Sequence, residues 1–348
     1  MKLHALSFKR LNVIIFAIGS TFILIDVGVS QDIHFSQMHS APLAINPAQA
    51  GVSESDIRLT NDYRNQWYKI DYPFHTLYFA LDGKFKSFGR PWGIGAMMIH
   101  DQSSSLYFTS DKFFATLSHS FYYRNHQFVV GAQPGIVFKH YNYSNITFGS
   151  QFDPDAEIFN PSLPSNEELL TDKVNYFDLN LGVVWRTRIK RTFTTVGVSF
   201  HHVNRPVESF FRDNDTIRLP AKYTIHGDIA LPIAEKFEVK PMLLYSRMKA
   251  ANEFMGGIIA SYYPLLPDLI VKKIYAISSF RVNPVQNIDA LILGAGVKVG
   301  SLDLCITYDI TVSSLRKASN YQGAFEISLM LNINKRQPSG VAEPCFML

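Results

Sequence analysis

The sequence predicts an all-β protein, namely a transmembrane antiparallel up-and-down β-barrel of about fourteen strands with an ordered N-terminal segment. Three observations predict it. Apolar and polar side chains alternate along many stretches, as they do in a strand with one apolar face. After residue 30, no apolar run approaches the roughly 20 residues that a transmembrane helix needs. Short and long connections also alternate along the chain.

Residues 176–186 show the alternation most clearly. One face is apolar and the other is polar or small, in the order Phe177, Leu179, Leu181, Val183 and Trp185 against Asp178, Asn180, Gly182 and Arg186. A Trp at the end of the apolar row is typical of the boundary between hydrocarbon and headgroups. A soluble β-sandwich or barrel would bury such rows in a core. However, soluble domains rarely build sheets of about fourteen long strands.

The composition fits a membrane barrel and favours no nucleic-acid partner. Of the 348 residues, 14% are aromatic and 18% are charged, whereas charged residues make up about 25% of an average soluble chain. The formal net charge is +4, with basic and acidic residues mixed along the chain. We find no basic tract and no nucleic-acid motif, so we expect no nucleic-acid partner. We also expect no cofactor.

Residues 1–30 are predicted to be a secretory signal peptide. Lys2, Lys9 and Arg10 precede an apolar stretch from residue 11 to 27, and Gly28 and Ser30 provide small residues at the −3 and −1 positions of a cleavage site near Ser30. An uncleaved signal anchor is the alternative, and Asp26 is unusual within the apolar stretch. Export and an outer-membrane location in a Gram-negative bacterium are therefore expected.

Residues 31–54 do not alternate and are predicted to form an ordered N-terminal segment. This segment is too polar to face lipid, yet Phe35, Leu43 and Ile45 need a dry environment. Asn46, Pro47 and Gly51 fit a turn that redirects the chain into the first strand. We expect the segment to lie against the periplasmic half or the interior of the barrel, either as a plug or as a contact for a partner.

The barrel is predicted to span residues 55–334, followed by a C-terminal periplasmic tail at 335–348. The expected strands are 55–68, 74–84, 92–101, 106–124, 127–139, 174–188, 192–203, 221–232, 236–249, 253–263, 268–280, 286–299, 302–312 and 322–334. If the first strand runs outward, even-numbered strands end in short periplasmic turns. The longest connections, 141–173 and 204–220, then lie outside.

Two groups of side chains are candidate sites. Tyr63, Arg64, Asn65 and Trp67 lie at the end of the first strand and form either a partner-binding rim or girdle aromatics with polar neighbours. The other group is expected to face the lumen and consists of Asp178, Asn180, His201, His226, Asp228, Asp303, Asp309 and Glu326. We expect the last three carboxylates to pair with Arg or Lys from other strands, because buried charges need partners.

Other constellations suggest chemistry only weakly. In an extended strand His201 and His202 face opposite sides, with His202 near the rim, so they do not share a metal. Ser199, His201 and Asp228 could face each other in the lumen, but a lipase would present its triad to lipid; we expect no enzyme. Asp153, Asp155 and Glu157 have the spacing of calcium ligands without an EF-hand loop. Cys305 and Cys345 are either free or paired.

Three stretches together resemble the PorP/SprF family of outer-membrane proteins of the type IX secretion system. The first is QDIHFSQMHSAPLAINPAQAG at 31–51, which is similar to a Q-D-x-x-F-S-Q opening and an N-P-A-x-A-G step, followed by YRNQW at 63–67. The second comprises 200–206 and 219–227. The third comprises Tyr308-Asp309, 313–315 and 323–329, while Pro344-Cys345-Phe346 resembles a shortened Cys-Pro ending.

The resemblance covers nearly the whole mature chain and implies a non-enzymatic barrel. Its expected role is to support the export or surface anchoring of secreted proteins and adhesins, in adhesion or gliding motility, through protein–protein contacts. The implied partners are other type IX secretion components and a secreted or surface-exposed cargo protein, besides the lipid bilayer. The alternative class is a porin or small-molecule transporter, which would need an open lumen.

Overall fold

Fourteen strands close into one antiparallel barrel in the computed structural model. The structure describes residues 32–67, 73–103, 108–141, 149–154, 156–160, 162–164, 171–211, 216–264, 270–283, 287–313, 316–317 and 321–334. The predicted signal peptide, the C-terminal tail with Cys345, and Asp155 lie outside the described residues. Among the described residues, no helix is long and apolar enough to cross a membrane.

The barrel strands follow the predicted spans within a few residues. They are β1 Ile57–Gln66, β2 Phe74–Ser87, β3 Arg90–Ser103, β4 Phe108–Tyr123, β5 His126–Tyr141, β8 Lys173–Ile189, β9 Thr192–His201, β10 Lys222–Ala234, β11 Phe237–Met248, β12 Ala251–Tyr262, β13 Val271–Asn283, β14 Asn287–Val299, β15 Leu302–Thr311 and β16 Gln322–Ile333. A small hairpin, β6 Phe152–Asp153 with β7 Ile158–Phe159, lies in the connection between β5 and β8. The fold prediction is confirmed.

Each strand pairs with its neighbours in the sheet, and β1 pairs with β16 to close the barrel. The β1–β16 register places Arg64 directly opposite Glu326. Because side chains alternate between the two faces of a strand, the pairing register determines which residues lie next to each other inside the barrel. The lipid-facing side of β8 exposes Phe177, Leu181 and Val183, whereas Asp178 and Asn180 are buried on the inner side.

The two ends of the barrel differ. Tight two-residue turns join β2 to β3, β4 to β5, β8 to β9, β10 to β11 and β14 to β15 at one end, here called the short-turn end. The two longest connections, from β5 to β8 and from β9 to β10, leave and re-enter the barrel at the other end, the long-loop end. Several tight turns contain left-handed residues, for example Gly89 with φ 71° and Gly300 with φ 58°. Such turns match the twist of antiparallel hairpins.

Candidate functional site

The N-terminal segment, residues 33–52, lies inside the barrel. It contains a one-turn helix, Pro42–Ile45, and a 3₁₀ turn, Pro47–Gln49. Most of its side chains are buried, including Phe35, Ser36, Gln37, Met38, Ser40, Ala41, Leu43, Asn46, Ala48, Ala50 and Val52. The apolar ones among them pack in three clusters with inward-facing residues from strands around the barrel. The segment therefore occupies the interior, which an open pore would leave to water.

An ionic network holds the N-terminal half of the segment. The backbone N–H groups of Ser36 and Gln37 donate to the Glu326 carboxylate at 2.9 and 2.8 Å. The Ser36 hydroxyl donates to Asp309 at 2.8 Å. Arg64 donates to Glu326 at 3.0 Å and to Asp309 at 3.1 Å, so one guanidinium bridges both carboxylates. This arrangement compensates two buried carboxylates with a cation and with the segment's own backbone.

A second guanidinium completes this network from the opposite side. Arg281 on β13 donates to Asp309 at 3.1 Å and to Asp289 at 2.9 Å. Side-chain contacts of Gln37 extend the network, because Ser328 donates to its amide oxygen at 2.5 Å. Ser40 then donates to Asp62 at 2.5 Å, one step further along the segment. Side chains from four strands, β1, β13, β15 and β16, therefore hydrogen-bond to the stretch 36–40 or to each other around it.

Asn46 fixes the middle of the segment. Its side-chain oxygen accepts from the Ala48 N–H at 2.9 Å and caps the 3₁₀ turn. Its amide nitrogen donates to the carbonyl oxygens of Val183 and Val198, both at 3.1 Å, and lies 3.1 Å from the Nε2 atom of His226. One side chain thus joins the segment to β8, β9 and β10.

A pair of glycines makes room for this contact. Gly131 and Gly182 are direct partners across β5 and β8. A Cβ atom at Gly182 would lie 2.0 Å from the Asn46 side-chain oxygen, and one at Gly131 would lie 2.5 Å from the Ala48 nitrogen. Any larger residue at either position would collide with the segment, since real Cβ atoms do not approach other atoms so closely.

The C-terminal end of the segment lies at the short-turn end of the barrel. The Gly51 N–H donates to Asp82 at 2.8 Å, and Arg186 near the end of β8 donates to the Val52 carbonyl at 2.9 Å. At its other end, His34 lies 3.7 Å from Glu253, the third residue of β12 at the long-loop end. The segment was expected against the periplasmic half or the interior. It lies in the interior and runs from one half of the barrel into the other.

His39 is a half-buried histidine of the segment, and its ring packs edge-on against Tyr275 at 6.0 Å between centroids. The pKa of His39 is lowered to about 3, mainly by desolvation of the ring and in addition by the positive charges of Lys273 and Lys240. Nδ1 of His39 is buried without a hydrogen-bond partner. The imidazole is therefore neutral inside the barrel at neutral pH.

The predicted rim residues do not form one group. Tyr63 faces outward at 37% exposure and contacts His75, whose Nδ1 lies 3.0 Å from the Tyr63 hydroxyl. Arg64 points inward into the ionic network and is fully buried. Asn65 is half-buried. Trp67 follows the strand with a φ of 57°, and its backbone N–H donates to the Gly323 carbonyl. Strand alternation separates these neighbours in sequence.

The predicted inward-facing residues are distributed among several contacts. Asp303 accepts from the Tyr275 hydroxyl at 2.7 Å and lies 3.7 Å from Lys273. Asp228 pairs with Lys240 at 3.0 Å. Asn180 donates to Gln133 at 3.0 Å. Asp309 and Glu326 belong to the ionic network, and His226 lies beside Asn46.

The expectation that His201 and His202 face opposite sides is wrong. His201 ends β9, and His202 takes a left-handed φ of 56°, which turns its side chain inward. Nδ1 of His202 lies 2.8 Å from Asp178, while Nε2 of His201 lies 3.2 Å from the Ile45 carbonyl. Within the described residues, no group of three or more His, Cys, Asp or Glu side chains could hold a metal ion.

The predicted Ser199–His201–Asp228 group does not form a triad, and the predicted acidic loop lies partly outside the described residues. Ser199 donates to the Ile45 carbonyl at 2.6 Å and lies 3.0 Å from His201, whereas Asp228 is paired with Lys240. Cys305 is free and buried. Because Asp155 lies outside the described residues, the acidic loop cannot be placed as a set.

Sequence reasoning missed several residues of the site. They are Gln37, Ser40, Asp62, Gly131 and Arg281, which bind or border the segment. Strand alternation could have indicated that Asp62 and Arg281 face inward, because each lies on the polar face of its strand. No pattern in the sequence indicates which inner residues meet the segment, since that depends on its path through the barrel.

A family model described as type IX secretion system membrane protein PorP/SprF matches residues 27–331. No curated protein matches the chain.

Solved structures of outer-membrane barrels show a weak similarity. The toluene transporter TbuX of Ralstonia pickettii has 10% identity and a TM-score of 0.49, covering 85% of this chain and 94% of the transporter. A FadL homologue of Pseudomonas aeruginosa has 11% identity and a TM-score of 0.48, with 83% and 93% covered. The CymD monoaromatic hydrocarbon channel has 12% identity and a TM-score of 0.48, with 89% and 96% covered. Identities this low say nothing about what the chain does.

Proposed function

The chain belongs to the PorP/SprF family of type IX secretion system membrane proteins, and we propose that it supports export or surface anchoring of secreted proteins and adhesins. It does so through protein–protein contacts, not through chemistry. Its partners are other type IX secretion components and a secreted or surface-exposed cargo protein. It is exported with a signal peptide cleaved near Ser30 and resides in the outer membrane.

One observation carries this proposal beyond family membership, namely the occupied interior of the barrel. The segment 33–52 is held by the Arg64–Glu326–Asp309 network at one end and by Asn46 in the middle. A solute channel would need an aqueous path, which such a segment opposes. A closed barrel is suited to holding and presenting its loops to other proteins.

The alternative function is that of a porin or small-molecule transporter, and it requires the segment to leave the interior or to move within it. The two functions differ in a simple measurement. A closed anchoring barrel should not conduct ions when the wild-type chain is reconstituted in planar bilayers. A transporter should conduct or take up solute.

The proposal is tested by affinity purification of the tagged full chain from native membranes, with identification of the co-purifying proteins. We expect secretion components or a secreted cargo protein to co-purify, together with silent wild-type bilayers. Conducting wild-type barrels that capture no secretion component and no exported protein would overturn the proposal in favour of transport. A signal-peptide swap that leaves the barrel in place serves as the control for correct export.

A further inference from the structure

A cleft lined with positive charge lies on the outside of the barrel at the long-loop end. Four basic residues line it, namely Arg205 and Arg218 from the connection between β9 and β10, Arg247 near the end of β11, and Lys249 in the turn after β11. Tyr223 and Pro220 form its apolar side. All four basic side chains are exposed.

Local contacts aim these cations into the cleft. The connection folds back on itself, because Leu219 donates to Pro206 at 2.9 Å and Val207 bridges to Arg218. The Arg218 guanidinium donates to the Arg205 carbonyl at 3.2 Å. These contacts bring the two arginines of one loop together above the strand ends.

Arg247 and Lys249 are placed by a tight hairpin. Nε of Arg247 donates to the Lys249 carbonyl at 3.4 Å, and Lys249 has a left-handed φ of 54°. In the β10–β11 register, Arg247 lies directly across from Tyr223. The ring of Tyr223 packs edge-on against Phe200 of β9, at 5.5 Å between centroids. Basic and aromatic side chains therefore share one patch of the outer surface.

The depth of the cleft follows from the outward-facing row of β11. This row changes along the strand from Leu243, which is 50% exposed, through Tyr245 to Arg247. Since a strand rises about 3.4 Å per residue, Arg247 lies about 7 Å beyond Tyr245 along the strand. Apolar, then aromatic, then basic is the order in which a barrel passes from hydrocarbon to headgroups. The cleft lies at headgroup level.

The positive charge of the cleft is not compensated by the described part of the chain. Within the described residues, no salt bridge joins any of its four cations to a carboxylate, whereas Lys240, Lys273 and Arg281 all have acidic partners. Guanidinium groups bind phosphate oxygens in pairs, and a nearby aromatic ring can cover the apolar part of a lipid. An anionic headgroup fits this combination.

We propose that this cleft binds the phosphate-bearing headgroup of a lipid A-type glycolipid. The long-loop end faces the outer leaflet in the proposed orientation, and phosphorylated glycolipid is the anionic lipid of that leaflet. The cations would bind its phosphates, and Tyr223 with Phe200 would lie against its acyl chains. Lipid binding is independent of the proposed role in secretion, so either can fail without the other.

Binding is measured by native mass spectrometry on the purified full chain, folded in zwitterionic detergent. The probes are lipid A, lipid A stripped of its phosphates, and inorganic phosphate. The first variant is Arg247→Gln with Lys249→Gln, and the second is Arg205→Gln with Arg218→Gln. Two variants in different elements keep the test valid if one of them folds poorly.

The control is Arg188→Gln with Lys190→Gln at the short-turn end. Nε of Arg188 donates to the Lys190 carbonyl at 3.2 Å, and Lys190 has a φ of 56°, so the local geometry matches that of Arg247 and Lys249. We expect both cleft variants to bind lipid A about tenfold or more weakly. The control should keep the wild-type affinity.

Three results would overturn the proposal. Wild-type affinity in both cleft variants would show that the cations do not bind the lipid. Equal binding of dephosphorylated lipid A would show that phosphate is not recognised. Inorganic phosphate that binds as tightly as lipid A, with the same dependence on the cations, would assign the cleft to a free anion instead of a lipid.

Discussion

Arg64 is the buried cation at the centre of the network that binds the N-terminal segment. It is fully buried and bridges Asp309 and Glu326, and Glu326 also accepts from the backbone of Ser36 and Gln37. Removing one member of a buried ionic network leaves an uncompensated charge, which costs about 3–5 kcal/mol. The same chemistry that fixes the segment therefore makes the barrel sensitive to single substitutions at this site.

We predict that Arg64→Ala lowers the free energy of unfolding by about 3 kcal/mol or more, because both carboxylates lose a cation. Urea unfolding of the barrel in lipid vesicles measures the change. The matched control is Arg90→Ala at the exposed first residue of β3, which should change the stability by less than about 0.5 kcal/mol. A similar small change for Arg64→Ala would mean that the network contributes little.

His39 gives the segment a pH dependence. Burial lowers the pKa of His39 to about 3, and the exposed imidazole of a released segment titrates near 6.5. Between these values the released form binds the extra proton, so docking weakens as the pH falls below about 6.5 and is unaffected above it. At pH 5.5 the loss is about 1.4 kcal/mol.

We predict that the segment is more easily cleaved by protease at pH 5.5 than at pH 7.5, and that His39→Phe reduces this difference. Phe keeps an aromatic ring against Tyr275 and needs no partner for a ring nitrogen. The measurement compares protection of residues 33–52 in wild type and variant at both pH values. An identical pH dependence in the two proteins would assign the effect to other groups.

At the scale of the strand, the outward face of β8 tests the position of the membrane. Leu181 lies in the exposed apolar row in the middle of the strand, and Ile189 ends the strand at the short-turn end. We predict that Leu181→Arg costs about 2–4 kcal/mol and hinders assembly, while Ile189→Arg costs about 0–1 kcal/mol. Heat-modifiable migration on gels and unfolding in vesicles measure both, and equal costs would contradict this depth.

Asn180 is a poor control for this test, although it faces away from lipid. It is buried and donates to Gln133, while its oxygen accepts from the His202 N–H at 3.0 Å. An arginine there would lose these bonds and meet a filled interior. Alternation alone predicts that the inner face tolerates polar groups, but it does not reveal that the lumen is occupied.

The positions of the strands could be predicted well from the sequence. The contacts between their inward-facing side chains and the N-terminal segment could not. Period-two alternation depends on local residues, so all fourteen barrel strands were located and the long connections fell at one end. His202 shows the limit, because its left-handed backbone reverses the expected direction of the side chain. The need for glycine at positions 131 and 182 arises from contact with residues 46–48, which are far away in sequence.

For the whole molecule, orientation is the property on which the loops and the lipid cleft both depend. We predict that epitope tags after Asp155 and after Asp213, which lie outside the described residues, are reached by antibody on intact cells. A tag in the turn between β10 and β11, at Glu235, should need permeabilised cells. The reverse pattern would invert the orientation and place the cleft in the inner leaflet.

Closure of the barrel is the property that links the interior to the proposed function. The segment lies in the lumen and packs against inward-facing residues of strands around the barrel, and its middle lies against two glycines that leave no space for a side chain. Deleting the segment, or displacing it with a larger residue at one of these glycines, should therefore open the lumen while the barrel still folds.

We predict that deletion of residues 32–46 opens an ion conductance, and that Gly182→Leu does so to a smaller extent by colliding with Asn46. The control is Gly149→Ala, where an added Cβ meets no atom within 4 Å. Single-channel recordings in planar bilayers measure conductance, while heat-modifiable migration shows that each barrel is folded. If folded deletion barrels stay silent, other parts of the chain close the lumen. If wild type and control conduct as well, the segment does not close it. Because co-purification of secretion partners is scored separately, a channel that opens while partners stay bound would assign closure and partner binding to different parts of the chain.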